Sequence, residues 1–289
     1  MRRFLRIASI VVASWLAAGL AGAADLRVPD NPVVGEAMSL ATLGEGEATL
    51  YLIGPGQIIK RQVRLGHDVQ IKPDELHSAG RWIATLRHGE HTESQTFWMS
   101  PARPRNLNFL ARPSRVPVAR QHVITGVVFV FDEYQNMVLR PAPVKFSLSV
   151  NGSGASETVE SRDGVAWINS SSAKKAGAAQ FVAAVGETTV RRVVQQVASD
   201  PCNLRMHVAQ ITDGLVIVET DPIRDCTGNP VPDGTIVTFT QIDRAGRSTV
   251  DARIKKGVAR AQLPFAEGAD ISVAAGVMLG NELHLGGHR

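Results

Sequence analysis

DCTGNPVPDGTIVTF (225–239) and DEYQNMVLRPAPVKF (132–146) are two versions of one pattern. Each opens on an aspartate, sets an asparagine four residues later and closes on Val-x-Phe. The positions are Asp132, Asn136, Val144 and Phe146 in one, and Asp225, Asn229, Val237 and Phe239 in the other. The copies stand 93 residues apart, and the same offset carries Gly164-Val165-Ala166 onto Gly257-Val258-Ala259. Further on, FVAAVG (181–186) meets ISVAAG (271–276), the offset having shortened to 90. In front, RNLNF (105–109) meets CNLRM (202–206) at an offset of 97. The length differences fall between apolar segments, where exposed connections absorb them. The chain contains a duplicated domain.

The repeated segments read as strands. VKFSLSV (144–150) puts Val144, Phe146, Leu148 and Val150 on one face and Lys145, Ser147 and Ser149 on the other. TIVTFTQ (235–241) repeats the alternation with Val237 and Phe239 inward, and period two marks a half-buried strand. Turn residues separate the strands, among them Asp163-Gly164, Gly228-Asn229-Pro230 and Asp233-Gly234. Short strands at this spacing, with no sustained helical stripe, predict β-sandwiches. A third, more divergent unit precedes the two copies. In its AGRWIATL (79–86), Trp82, Ala84 and Leu86 alternate with Arg81 and Ile83. Proline-rich SPARPR (100–105) and ASDPC (198–202) read as linkers.

The first residues, MRRFLRIASIVVASWLAAGLAGAADL, place arginines before an apolar run and end on Ala21-Gly22-Ala23. That order predicts a cleaved signal peptide at residues 1–23. The chain has 31 basic and 27 acidic residues, and without Arg2, Arg3 and Arg6 the balance falls to 28 against 27. The mature chain is nearly neutral, with no dense basic run for nucleic acid and no second apolar stretch of membrane-spanning length. The two cysteines, Cys202 and Cys226, both lie in the exported part, where a bridge is expected. NLRMHVAQ (203–210) and LVIVET (215–220) read as this copy's first two strands, either antiparallel neighbours or facing each other across the core. Cys202 stands just before the first and Cys226 just beyond the second, so the topology brings them to one end. No cysteine follows the cleavage site, so no lipid anchor is expected there.

With these motifs in view, residues 105–289 resemble two bacterial Ig-like domains of the invasin and intimin type. The segment DCTGNPVPDGTIVTF is similar to that family's D-x-x-G-N-P-V-P-G-x-x-V-x-F, and DEYQNMVLRPAPVKF follows it more loosely. DGVAWI (163–168) and KAGAAQFVAAVG (175–186) are similar to the family's later segments. Residues 24–100 are generically Ig-like. The resemblance implies an all-β fold, a tandem array of three Ig-like β-sandwiches after a signal peptide, at residues 24–103, 104–200 and 201–289. Such adhesins carry a membrane β-barrel before the array and often a lectin-like tip after it. Neither is expected from this sequence, whose leader runs directly into the first sandwich.

The chemistry-bearing residues are sparse. His88 and His91 flank Gly89-Glu90, an expected hairpin turn, but a zinc site needs three or four ligands and no cysteine or helical motif supplies the rest. Asp225 and Asn229, like Asp132 and Asn136, could contribute to calcium sites with Glu133, Asp221 or Asp233, since calcium takes 6–8 oxygens. The competing reading is that each aspartate and asparagine caps its own turn. There is no G-x-S-x-G nucleophile motif, and no residue is assigned a catalytic or cofactor-binding role. The expectation is an exported, non-enzymatic Ig-like binding or spacer protein, periplasmic, secreted or at the cell surface, contacting a protein or glycan partner at the envelope. The alternative is an accessory or chaperone-like subunit of a periplasmic envelope assembly.

Overall fold

A computed structural model describes residues 26–286. The signal peptide read at residues 1–23 lies outside the described residues. Among those described, every regular element is a β-strand, and no helix is long and apolar enough to cross a membrane. The chain divides into two compact units, one ending at Ala102 and one beginning at Arg103.

The first unit contains β1 (Leu26–Arg27), β2 (Met38–Thr42), β3 (Glu47–Gly54), β4 (Gln57–Arg64), β5 (Val69–Ile71), β6 (Gly80–His88) and β7 (His91–Met99). They form sheets of order β1-β2-β5 and β4-β3-β6-β7. Alternation along β3 and β6 buries Leu50, Leu52, Trp82, Ala84 and Leu86. The Trp82 indole N–H donates to the Ser78 carbonyl at 2.8 Å, and its ring lies on Gly54, where any side chain would overlap it.

The second unit holds the two copies. The earlier copy has β8 (Asn106–Arg112), β9 (Arg115–Pro117), β10 (Ile124–Phe131), β11 (Pro143–Val150), β12 (Ser153–Glu160), β13 (Val165–Ser170), β14 (Gly177–Val185) and β15 (Thr188–Val197). Its sheets run β13-β10-β8 and β12-β11-β14-β15-β9, with β9 parallel to β15. The later copy has β16 (Met206–Thr212), β17 (Leu215–Thr220), β18 (Ile236–Asp243), β19 (Gly246–Arg253), β20 (Arg260–Pro264), β21 (Ala269–Ala275) and β22 (Met278–Leu285). Its sheets run β16-β17-β20 and β19-β18-β21-β22. The duplication reaches single hydrogen bonds. Val130 N–H donates to the Gly164 carbonyl and Ile223 N–H to the Gly257 carbonyl, each at 2.9 Å.

Each copy encloses its own core, because inward side chains from its two sheets can bury only against one another. The earlier copy centres on Phe109, Phe146 and Phe181, with Phe109 edge-on to Phe181 at 5.1 Å between ring centres. Gly126 makes this packing possible, since a Cβ there would stand 2.6 Å from the Phe181 ring. The later copy centres on Val237, Phe239 and Ile271. Its inward row continues past Phe239 to buried Gln241, a polar interruption of the apolar alternation. The Gln241 amide Nε2 donates to the Asp243 carboxylate at 2.9 Å.

Candidate functional site

Between β17 and β18 the chain turns through Asp225–Asn229, and the turn is built on the Asp225 side chain. Its Oδ1 accepts from the Thr227 N–H (2.9 Å), the Thr227 hydroxyl (2.8 Å) and the Asn229 N–H (2.9 Å). Asn229 Nδ2 donates to Oδ2 at 3.0 Å. The earlier copy repeats this. There, Asp132 Oδ1 accepts from the N–H groups of Tyr134 (2.9 Å) and Asn136 (2.8 Å), and Asn136 Nδ2 donates to Oδ2 at 2.9 Å. A short carboxylate that satisfies its own turn's backbone donors is why the spacing Asp-x-x-x-Asn recurs.

At the later copy the turn also reaches across to the sandwich before it. Asn229 Oδ1 accepts from the Ala176 N–H, and Asn229 Nδ2 donates to the Lys174 carbonyl, both at 2.8 Å. These two groups lie in the connection from β13 to β14. Asp225 Oδ2 accepts from the linker's Ser199 N–H at 3.1 Å. The Cys202–Cys226 disulfide closes the same corner with its Cα atoms 4.8 Å apart, and the Cys202 N–H donates to the Arg224 carbonyl at 2.9 Å. One amide, one carboxylate and one covalent bridge therefore brace the junction between the two copies. Asp225 and Asn229 are both buried, so losing either partner leaves groups without water to replace it.

Burial opposes the charge on Asp225, but hydrogen bonds from Thr227 and Asn229, with the backbone N–H groups of Asn229 and Ser199, outweigh it. They bring its pKa down to about 2. The ordinary aspartate value is about 3.9, so the folded protein favours the ionised form. The stabilisation is complete above about pH 5, falls as pH drops through the folded value and is absent below it; its size is about 2 kcal/mol. Calorimetry between pH 6 and pH 2 should show the later copy's transition falling on acidification. Asp225→Asn should start lower at pH 6 and lose this component of the acid dependence. An unchanged acid slope would refute the assignment.

The remaining candidate residues have local roles. His88 and His91 face each other across the β6–β7 hairpin, and the His88 ring Nδ1 contacts the Glu47 carbonyl at 2.8 Å. The Asp233 carboxylate accepts from the N–H groups of Lys256 (3.0 Å) and Gly257 (3.2 Å), and Asp221 lies 3.4 Å from His207. Among the described residues no three His, Cys, Asp or Glu side chains converge as a metal set. Both oxygens of Asp225 accept from N–H or O–H donors, which take the lone pairs a cation would use. Sequence reasoning placed the capping role of Asp225 and Asn229 within reach. It missed Lys174, Ala176 and Ser199, which contribute only backbone atoms and carry no residue-type signal.

No protein-family model and no curated protein matches the sequence. Solved structures do match. FdeC, an adhesin of Escherichia coli, aligns with 92% of this chain and 100% of its own, at 16% identity and a TM-score of 0.59. Invasin, a bacterial integrin-binding protein, aligns with 91% of this chain and 59% of its own, at 14% identity and a TM-score of 0.52. InvD of Yersinia pseudotuberculosis aligns with 89% of this chain and 95% of its own, at 10% identity and a TM-score of 0.51. By fold, this is a chain of Ig-like β-sandwiches of the kind found in bacterial adhesins.

Proposed function

We propose that this chain is an exported, non-enzymatic binding and spacer protein of the cell envelope or surface, with modules at residues 24–103, 104–200 and 201–289. The observation that carries the reading is the braced junction. Its charged and polar groups, Asp225 and Asn229, are spent on holding one sandwich against the next, which is what a spacer requires and what a catalytic carboxylate does not do. The adhesin-type fold and the leader read at residues 1–23 support the same conclusion. The partner is a protein or glycan of the envelope. A second reading, an accessory or chaperone-like subunit of a periplasmic assembly, draws support from β13, which leaves one strand edge open.

Mass spectrometry of the native protein tests the proposal. The expected result is an N-terminus at Ala24 or Asp25, with Cys202 and Cys226 oxidised and the protein in the periplasmic, surface or secreted fraction. An intact Met1 in the cytosol with two free thiols would overturn it. A stable complex with one envelope assembly would favour the second reading over the first.

A further inference from the structure

The two sheets part along one side of each copy, between β12 and β13 in the earlier and between β19 and β20 in the later. The clefts are equivalent in position and differ in charge. That of the later copy, about 690 Å³, carries the charged residues Glu219, Asp251, Arg253, Lys255 and Arg260 beside Ile217, Val250 and Val258. That of the earlier copy, about 550 Å³, is lined by Phe146, Leu148, Val150 and Ile168 together with the serines at 153, 156 and 170–172, and among the described residues Glu157 is its one carboxylate. Gln196 also lines it and is wholly buried. Its Oε1 accepts from the Ala173 N–H at 2.6 Å, while Nε2 has no partner among the described residues. A buried amide donor left unpaired is costly and uncommon.

The strand beside the cleft is open. Among the described strands, β13 pairs with β10 alone. The Gly164 carbonyl accepts from β10, so in an antiparallel ladder Ala166 and Ile168 turn the same way, while Val165, Trp167 and Asn169 turn to the free edge. Val165 is used in its own turn, bonded both ways to Arg162. Trp167 and Asn169 remain at the edge as donors, and the His122 ring contacts the Asn169 carbonyl at 3.4 Å. Edge strands are normally protected by charge. The later copy follows that rule, with Arg260, Glu219 and His207 in one row across β20, β17 and β16. The earlier copy has Trp167, Val127 and Leu110 in the matching row, and Trp167 is 61% exposed.

We propose that the open edge of β13 and the adjoining cleft receive an extended strand of a partner protein, with uncharged apolar side chains at alternate positions. This rests on the reading of the chain as a binding protein and specifies the partner. The incoming backbone pairs with Trp167 and Asn169, and its inward side chains fill the space over Phe146, Leu148 and Ile168. Main-chain pairing supplies the affinity and the alternate inward side chains the specificity. A second copy offering its own β13 would present Ala166 and Ile168, which are already buried in its core.

The test is photo-crosslinking of the full chain in its own cells, with benzoylphenylalanine placed at Trp167 or, as the matched control, at Arg260. The expected result is a protein adduct at Trp167 and none at Arg260, mapping to a segment with apolar residues at every second position. Asn169→Pro should abolish it by removing a free-edge N–H without breaking the β10 ladder. Asn169→Ala, which loses only the side-chain bond from Thr125, should retain it. Ala155 lies opposite Leu148 at the cleft mouth, so Ala155→Trp should also abolish the adduct by filling the cleft. No adduct at Trp167, equal labelling at Arg260, an adduct that survives Ala155→Trp or Asn169→Pro, or an adduct to a second copy or to glycan would each overturn the proposal. The N-terminus measured in the same cells reports separately on export, so the two readings fail independently.

Discussion

Replacing Phe181 with alanine is expected to destabilise the earlier copy in the second unit by about 3–5 kcal/mol, a large share of the roughly 5–15 kcal/mol available to a domain. Phe181 is wholly buried, lies edge-on to Phe109 at 5.1 Å and is 6.1 Å from Phe146 between ring centres. Gly126 backs it, so nothing on that side can move in to fill the space. The loss should stay within this copy, because the later copy packs around Phe239 in a separate core. Hydrogen exchange should show protection falling in β10, β11 and β14 while β17, β18 and β21 keep theirs. Phe181→Leu, which retains most of the volume, should cost less. Equal loss of protection in both copies would show that they unfold as one cooperative body.

Removing the Cys202–Cys226 bridge by Cys202→Ala with Cys226→Ala is expected to cost the later copy about 3 kcal/mol, because a cross-link restricts the conformations open to the unfolded chain. The cysteines are 24 residues apart in sequence, so the closed loop is long enough for that effect. For a domain of this size the transition should fall by on the order of 15 °C, which calorimetry resolves. The bridge also anchors the corner where Ser199 and Asp225 meet, so exchange at the Ser199 amide should accelerate along with it. A transition unchanged within about 2 °C would show that the Asp225 and Asn229 hydrogen bonds hold the corner without the bridge.

The strands of the repeated copies were legible because their signal is local. Val144, Phe146, Leu148 and Val150 alternate with polar residues and are buried, and the alternation needs nothing beyond the segment to be read. The turns were legible for the same reason, since Asp225 and Asn229 satisfy groups within four residues of themselves. The disulfide followed from two strand positions and from there being two cysteines to pair. The charge contrast between β13 and β20 was present in the sequence, but it gained meaning only once both strands were seen at open edges. What tertiary structure alone decided was where these turns and edges are directed. The partners of Asn229 are a backbone N–H and a backbone carbonyl 53 and 55 residues away, and such atoms are the same in every residue type. The cleft beside β13 is likewise a product of two sheets parting. Alternation specifies which side of each strand is buried, while the gap left between two buried faces depends on how the sheets are packed together.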